Sequence, residues 1–391
     1  MRRRWWRTAA LTASAVTGAL LVQGATGRPA QGASDDGKPP PVETSTRTAR
    51  LSVAADGTSA RLGRRDTAVF SLLGLTWSDP SARVDATIEA RTRDAGTGMW
   101  STWRTLEDGG EGDPGATRGG TEPVWAGASD GVEVRVDVAS SAELPEGLRL
   151  DMVDPGTGTV SGLEPTAFPR DATESPSTAP KPPITSRAGW GADESISPQS
   201  PAYLPGGKIK AVTVHHTVNS NDYTCDQAPA VVRGIYAYHV KTLGWKDIGY
   251  NFLVDKCGTV YEGRKGGVGL PVLGAHTYGF NGQTTGVSVL GTYTRNAPST
   301  AAMTSVARLA AWKLGLYGVD PNGTTTLTAG ADGKNYFGTS WTAGTRLTYP
   351  TIIGHRDGYN TECPGEAFYA QLPAVRAHAA DPAAGLALPP G

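Results

Sequence analysis

The segment that decides the fold of the C-terminal half reads Lys210-Ala211-Val212-Thr213-Val214-His215-His216-Thr217. Small and β-branched residues lead directly into two adjacent histidines, which predicts a strand that carries an imidazole at its end. Because neighbouring side chains on a strand point to opposite faces, only one of His215 and His216 can face a given site. Alternation does not decide which one, since either set of preceding residues is apolar enough to be buried.

Two later segments carry further side chains that bind metals, Gly354-His355-Arg356-Asp357 and Thr361-Glu362-Cys363-Pro364. A short strand over 351–354 is predicted to deliver His355 at its end. Two imidazoles and one thiolate can hold a zinc ion (Zn2+) and leave a fourth coordination position open, as in hydrolytic rather than structural zinc sites. The alternatives for Cys363 are a buried structural thiol or a disulfide with another cysteine. The sequence has no His-Glu-x-x-His helix, the motif of a different class of zinc hydrolase.

The region from about Ile184 to Ala380 resembles the zinc-dependent N-acetylmuramoyl-L-alanine amidases, the family that includes phage amidases and peptidoglycan recognition proteins. The motifs that carry the resemblance follow one another in the family's order: Ser186-Arg187-Ala188-Gly189-Trp190-Gly191-Ala192, Val214-His215-His216-Thr217, Tyr238-His239 with Gly244-Trp245, Asp247-Ile248-Gly249-Tyr250-Asn251-Phe252, Val260-Tyr261-Glu262-Gly263-Arg264, Gly274-Ala275-His276 with Asn281, and His355 to Cys363. The resemblance implies an α/β fold, with a mixed β-sheet flanked by helices, in a secreted bacterial protein.

The resemblance also implies roles for individual residues. The zinc ligands would be His215, His355 and Cys363, which leaves His216 a structural or supporting role. Tyr250 matches a catalytic tyrosine that orients water or stabilises the oxyanion, the alternative being an aromatic strand residue without a catalytic role. Thr361 stands where some phage amidases have a lysine, and its hydroxyl can donate a hydrogen bond but supplies no positive charge.

Four residues match positions that line the family's substrate groove, namely His239, Arg264, His276 and Asn281. They would offer hydrogen bonds to the muramoyl group and the stem peptide. For His239, on the apolar face of a helix predicted over 226–243, a buried structural histidine is the alternative. His276 and Asn281 lie in a Gly-rich loop, where binding groups are common. A further histidine near the C-terminus, His378, is expected to face solvent.

The bulk composition excludes some functions and suggests a compartment. The net charge of −1 over 391 residues argues against a nucleic-acid partner, which needs a basic surface. A basic N-terminus followed by an apolar, Ala-rich run predicts a signal peptide over residues 1–33, with a single membrane anchor as the alternative. We therefore expect a secreted protein, released or retained at the cell wall, without stable membrane insertion after cleavage. The three cysteines predict one disulfide, Cys225 to Cys257, and leave Cys363 free for a metal.

The remaining sequence predicts a second domain and its connections. Residues 34–46 are a polar spacer, and period-two runs over 47–155 predict a smaller all-β, sandwich-like domain without a catalytic constellation. Its four tryptophans form either a carbohydrate-stacking surface or core contacts: Trp77, Trp100, Trp103 and Trp125. Residues 156–183 form a Pro/Ser/Thr-rich linker, 184–380 the amidase-like domain and 381–391 a tail. Within 323–348, a turn-rich loop is inserted that borders the groove or decorates the surface.

These observations predict an exported zinc amidase, acting as a monomer, that cleaves the bond between N-acetylmuramic acid and L-alanine in peptidoglycan. The alternative is a recognition protein that binds peptidoglycan, through its muramoyl peptide, without cutting it. Non-hydrolytic members of the family characteristically lack the metal cysteine, so Cys363 together with Tyr250 favours the enzyme.

Overall fold

Strands of the N-terminal domain occupy the chain from residue 45 to residue 154. The computed structural model describes residues 40–110, 112–139, 143–158 and 179–384. The predicted signal peptide, most of the predicted linker and much of the predicted tail lie outside these residues. The strands are β1 (Ser45–Arg50), β2 (Ser52–Val53), β3 (Ser59–Trp77), β4 (Ala86–Asp94), β5 (Arg104–Thr105), β6 (Gly119–Gly120), β7 (Val124–Val138) and β8 (Arg149–Asp154).

These strands pair antiparallel in the order β1-β8-β3-β7-β4-β5, and β2 and β6 add to β3. The pairing of β3 with β7 changes register three times, between Leu62 and Leu72. Residues from both halves of β3 nevertheless share one hydrophobic core. On β7, Val132, Val134 and Val136 are buried, as the period of two predicts for a half-buried strand. The prediction of an all-β domain is confirmed.

The four tryptophans of this domain do not form one carbohydrate-stacking surface. Trp77 and Trp125 are buried in hydrophobic clusters. Trp100 and Trp103 are half-buried, and the Arg91 guanidinium lies 5.5 and 4.8 Å from their ring centroids. The hypothesis of a surface made of all four rings is therefore wrong. Core packing explains Trp77 and Trp125.

The C-terminal domain has a mixed five-stranded sheet in the order β11-β10-β12-β9-β17. β10, β12, β9 and β17 run parallel, and β11 is antiparallel to β10. The strands and α-helices of this domain are β9 (Ala211–His216), α1 (Ala228–Ala237), β10 (Phe252–Val254), β11 (Val260–Glu262), β12 (Thr284–Val289), α2 (Thr300–Gly315), β13 (Thr324–Thr328), β14 (Gly333–Lys334), β15 (Ser340–Trp341), β16 (Arg346–Pro350), β17 (Ile352–Gly354), α3 (His355–Gly358), α4 (Glu366–Tyr369) and α5 (Leu372–Ala380).

Helix α2 covers the sheet much as its sequence predicts. Ser299 precedes the first turn, and its hydroxyl accepts a hydrogen bond from the Ala302 amide, so one of the first free N–H groups is satisfied. The residues predicted to face inward are all buried: Met303, Val306, Leu309, Ala310 and Leu314. They pack with strand residues in one hydrophobic cluster. The α/β class of this domain is confirmed.

The helix predicted over 226–243 forms as three consecutive pieces. A 3-10 turn over Cys225–Gln227 leads into α1, and a π-helical turn over Tyr238–Thr242 follows it. The predicted disulfide joins Cys225 to Cys257, so it links the start of this helix to the turn between β10 and β11. No helix among the described residues is both long and apolar enough to span a bilayer.

The two domains share part of their hydrophobic core. Leu72, Trp125 and Val153 of the N-terminal domain belong to the same buried cluster as Tyr238 and many other residues of the C-terminal domain. Tyr238 Oη donates a hydrogen bond to the Thr121 carbonyl over 3.1 Å. The described residues of both domains accordingly belong to one compact unit.

The inserted segment 323–348 is structured rather than an irregular loop. β13 pairs with β16 and β14 pairs with β15, both antiparallel. Its side chains Leu327 and Trp341 pack with Phe280 and Ile353 in a small cluster. The Tyr336 amide donates to the Arg356 carbonyl over 3.1 Å, next to His355. The insertion therefore contacts the segment that carries a predicted zinc ligand.

Candidate metal site and groove

Three side chains meet at the carboxyl edge of the parallel strands. His215 lies near the end of β9, His355 follows β17 directly, and Cys363 comes from the loop after α3. One ligand atom from each residue lies within 4.8 Å of the others. Cys363 Sγ is 3.8 Å from His215 Nδ1. A tetrahedral zinc ion separates sulfur and nitrogen ligands by roughly 3.5 Å, given its bond lengths, so this donor set fits zinc in chemistry and spacing.

Burial sets the protonation of these groups. It lowers the pKa of His355 to about 3 and that of His215 well below its ordinary value. Both imidazoles are therefore neutral at neutral pH, which is the form that binds metals. Burial also raises the pKa of the Cys363 thiol well above its ordinary value. Zinc held here would therefore release a proton from this thiol, since the thiolate is the ligand.

The structure resolves which of the adjacent histidines faces the cluster. The ring of His215 faces the cluster. His216 Nδ1 instead accepts a hydrogen bond from the Tyr293 amide, and His216 Nε2 lies 4.0 Å from Glu107 Oε2. Burial lowers the pKa of His216 to about 3, so this contact is not an ion pair at neutral pH. The backbone amide of His216 donates to Cys363 Sγ over 3.3 Å. His216 thus supports the site through its backbone.

A second histidine orients the first. His215 Nε2 lies 3.1 Å from His276 Nδ1. With Nδ1 of His215 toward the metal position, its Nε2–H donates to His276, a common way to fix the tautomer of a metal-binding histidine. Asn281 Oδ1 accepts from the backbone amides of His276 and Thr277, over 2.8 and 2.9 Å, and so fixes the turn that presents His276. His276 Nε2 is buried without a partner among the described residues.

Tyr250 lies beside the cluster, with its ring centroid 5.3 Å from that of His215. Its phenol donates to Glu122 Oε2 over 3.2 Å. Glu122 belongs to the N-terminal domain, where the sequence had shown no catalytic group. Burial raises the pKa of Glu122 to about 8. Sequence reasoning missed this residue, because a single glutamate in a Gly-rich segment gives no signal of a contact 128 residues away.

A cleft of about 350 Å³ opens beside these groups. Both domains line it, with Gly109, Gly110, Glu122, Trp245, Tyr250, Ala275, His276, Tyr278, His355 and Tyr359. A neighbouring cleft of about 290 Å³ shares Gly109, Gly110, Glu122 and Trp245 with the first. Residues of the N-terminal domain thus line both clefts.

Two predicted groove residues lie where the domains meet. The Arg264 guanidinium pairs with Asp113 of the N-terminal domain and donates to the carbonyls of Ile248, over 2.9 Å, and Leu273, over 3.2 Å. The His239 ring stacks on Trp245 at 4.2 Å, and its Nδ1 accepts from the Gly249 amide. The substrate-binding roles of Arg264 and His239 stay predictions.

Two further predicted residues differ in outcome. Thr361 Oγ1 accepts from the Cys363 amide over 3.2 Å, so the hydroxyl closes the loop that carries the cysteine. Its proposed hydrogen bond to substrate stays a prediction. The expectation that His378 faces solvent is wrong, because His378 is buried in α5 and both its ring nitrogens are without a partner among the described residues.

Comparison with known proteins identifies the family. A family model described as N-acetylmuramoyl-L-alanine amidase matches residues 205–366, and one described as Rv3811 N-terminal galactose-binding domain-like matches residues 29–181. The chain is 30% identical to peptidoglycan-recognition protein SC2 of Drosophila melanogaster over 182 residues, 46% of this chain and 80% of that protein. The chain therefore belongs to the family of N-acetylmuramoyl-L-alanine amidases and peptidoglycan recognition proteins, and its function concerns peptidoglycan.

Two other similarities cover comparable parts of the chain. It is 32% identical to the human N-acetylmuramoyl-L-alanine amidase over 192 residues, 48% of this chain and 27% of that protein. The chain thus spans about a quarter of that relative's length. The solved structure of wild-type Drosophila PGRP-LB aligns with a TM-score of 0.37 at 25% identity, covering 48% of this chain and 91% of that chain.

Proposed function

We propose that the protein hydrolyses the amide bond between N-acetylmuramic acid and L-alanine in peptidoglycan, with a zinc ion held by His215, His355 and Cys363. The observation that carries the proposal is the convergence of these ligands beside a cleft that Tyr250 and His276 also line. Zinc bound there would polarise the scissile carbonyl and make a water nucleophilic at neutral pH. The family contains proteins named as amidases and proteins named as recognition proteins, and the intact ligand set supports the former.

The chain's own residues would bind and orient the reacting groups. With His215 Nε2–H as the donor, His276 accepts on Nδ1 and carries its own proton on Nε2, which is buried without a partner among the described residues. This N–H can donate to the carbonyl oxygen of the substrate as negative charge develops there. Trp245, Tyr278 and Tyr359 provide aromatic walls for the sugar and the first peptide residue.

The proposed place of action is outside the cell, in solution or at the wall. The disulfide between Cys225 and Cys257 supports this proposal, because disulfides persist in oxidising compartments. The partner would be the muramoyl peptide of peptidoglycan, bound by a monomeric protein. A bacterial origin and cleavage of a signal peptide belong to the same hypothesis.

The test is to incubate the zinc-loaded full chain with purified peptidoglycan and with a soluble N-acetylmuramoyl tripeptide. New amino-terminal alanine, identified by mass spectrometry and absent after chelation of the metal, supports hydrolysis. Metal content is measured on the same sample. Binding of peptidoglycan without release of alanine, at full zinc occupancy, would leave a recognition protein in place of an enzyme.

A further inference from the structure

Glu122 is half-buried where it lines both clefts. Its carboxyl group accepts a hydrogen bond from the Tyr250 phenol, and the charged groups that act on it, Glu107 and Asp108, repel it. No lysine or arginine among the described residues forms an ion pair with it. Without a compensating charge, partial burial disfavours the ionised form of this carboxyl group, and keeping the group protonated at neutral pH costs free energy. Groups buried at such a cost are concentrated at functional sites.

The segment that carries Glu122 is fixed to the C-terminal domain along its length. The amides of Thr117 and Arg118 donate to the Leu243 carbonyl, over 2.9 and 3.3 Å. Asp113 pairs with Arg264, and the Thr121 carbonyl accepts from Tyr238 Oη. The cluster that contains Leu72 and Trp125 also spans both domains. Glu122 is therefore held at a fixed position relative to the phenol before any substrate arrives.

The direction of this hydrogen bond limits what the phenol can do. A phenol has one proton, and that of Tyr250 points to Glu122. Its oxygen keeps lone pairs on a side chain that lines the cleft. In this arrangement the phenol oxygen can accept a hydrogen bond from a water molecule, but it has no proton left to donate to an oxyanion. Of the two roles considered for Tyr250, the geometry favours orientation of the attacking water.

We propose that Glu122 is a positioning residue supplied by the N-terminal domain, which holds the Tyr250 phenol so that its oxygen faces the attacking water. The active site is then a composite of two domains. This inference rests on the proposed hydrolase function, since it assigns a role within that site. It also gives the N-terminal domain a part in the reaction.

The test compares Glu122→Ala and Glu122→Gln in the zinc-loaded full chain. Alanine removes the acceptor, and a misplaced phenol should lower kcat roughly 10- to 100-fold with KM nearly unchanged. Glutamine keeps an acceptor oxygen and should restore most of the rate. The matched control is Glu133→Ala, which removes a glutamate of the same domain that pairs with Arg91 at the surface, 2.7 Å away. It should leave kcat unchanged.

A double variant shows whether Glu122 acts through Tyr250. Tyr250→Phe alone should keep zinc and lose rate, and adding Glu122→Ala should cause little further loss, because the phenol is already gone. The proposal would be overturned if the fold losses in kcat of the two single variants multiplied in the double variant. A Glu122→Ala enzyme with the kcat of the wild type would also overturn it. Thermal unfolding of each variant checks that the fold is retained.

A crystal structure of zinc-loaded Glu122→Ala separates this inference from the proposed function. The Tyr250 phenol should leave the orientation it has beside Glu122. If the wild type releases no alanine, the hydrolase proposal fails, and the structure of the variant still decides the positioning role. A phenol that keeps its orientation without Glu122 would overturn that role.

Discussion

Gly354 lies directly opposite Val214 in the parallel pair of β17 and β9. The next residue after each of these, His355 and His215, therefore lies beside the other, and their ring centroids are 4.4 Å apart. Parallel strands place their carboxyl ends at one edge, where α/β proteins commonly hold their ligands. The register of two strands thus brings together residues that are far apart in sequence, and Cys363 needs only a short loop to complete the set.

Replacement of the cysteine tests this ligand set. Cys363→Ser exchanges the thiolate for a poorer zinc ligand, so we expect zinc to be lost during dialysis and alanine release to be abolished. Zinc content by mass spectrometry and release of alanine from peptidoglycan are the measurements. Thermal unfolding of the zinc-free wild type and variant should agree closely, which excludes a folding defect. Full activity in the serine variant would remove His215, His355 and Cys363 as the catalytic ligand set.

Replacement of His276 tests a residue that supports the zinc ligand His215 without binding the metal itself. His276→Ala removes the partner of His215 Nε2, and loss of such a partner typically lowers metal affinity or activity roughly 10- to 100-fold. We expect weaker zinc binding, measured by competition with a chromogenic chelator, together with a lower kcat. An unchanged zinc affinity and an unchanged kcat would together show that the contact between the two histidines has no role in the site.

Much of the fold was predictable because the spacing of apolar residues within each segment indicates its secondary structure. Period-two runs predict the strands of the N-terminal domain, and the apolar spacing of α2 predicts its buried face. The choice between His215 and His216 was not predictable from alternation, because every residue of β9 is buried and both faces of the strand are covered. Only the family resemblance favoured His215, and the structure places that ring in the cluster.

Contacts between distant segments were beyond the sequence pattern. Glu122 reaches Tyr250 only because the two domains share a core, and no periodicity near Glu122 records that docking. The same limit explains Arg264, which resembles a groove residue in sequence but pairs with Asp113 across the domain interface. In the inserted segment, Gly- and Thr-rich composition suggested irregular structure, whereas Leu327 and Trp341 anchor paired strands against Phe280.

The ion pair between Asp113 and Arg264 predicts how strongly the domains are coupled. Their side chains are 3% and 9% exposed, so Asp113→Ala leaves a buried guanidinium without its counter-charge. Loss of one partner of a buried pair costs about 3–5 kcal/mol. Arg264 keeps its backbone carbonyl acceptors, so we expect the free energy of unfolding to fall by about 3 kcal/mol. Urea unfolding of the full chain is the measurement.

The matched control is Asp130→Ala, whose partner Arg93 lies at the surface of the N-terminal domain. Exposed pairs contribute less than about 1 kcal/mol, so this variant should unfold close to the wild type. If Asp113→Ala and Asp130→Ala lowered the free energy of unfolding by the same amount, the buried pair would not couple the domains.

The pH dependence of stability tests the burial of Glu122. Its pKa is raised by burial from an ordinary value of 4.5 to about 8, so the folded state retains a proton that the unfolded chain releases. The stability that this group contributes is fully present below about pH 4.5 and is lost as pH rises through about 8. Glu122→Gln cannot ionise. In zinc-free protein, Tm of the variant minus Tm of the wild type should therefore increase between about pH 5 and pH 9 and level off above the folded-state pKa. Parallel Tm curves for the two proteins across that range would mean that Glu122 is solvated in the folded state, and the carboxylate would then be free to turn away from Tyr250.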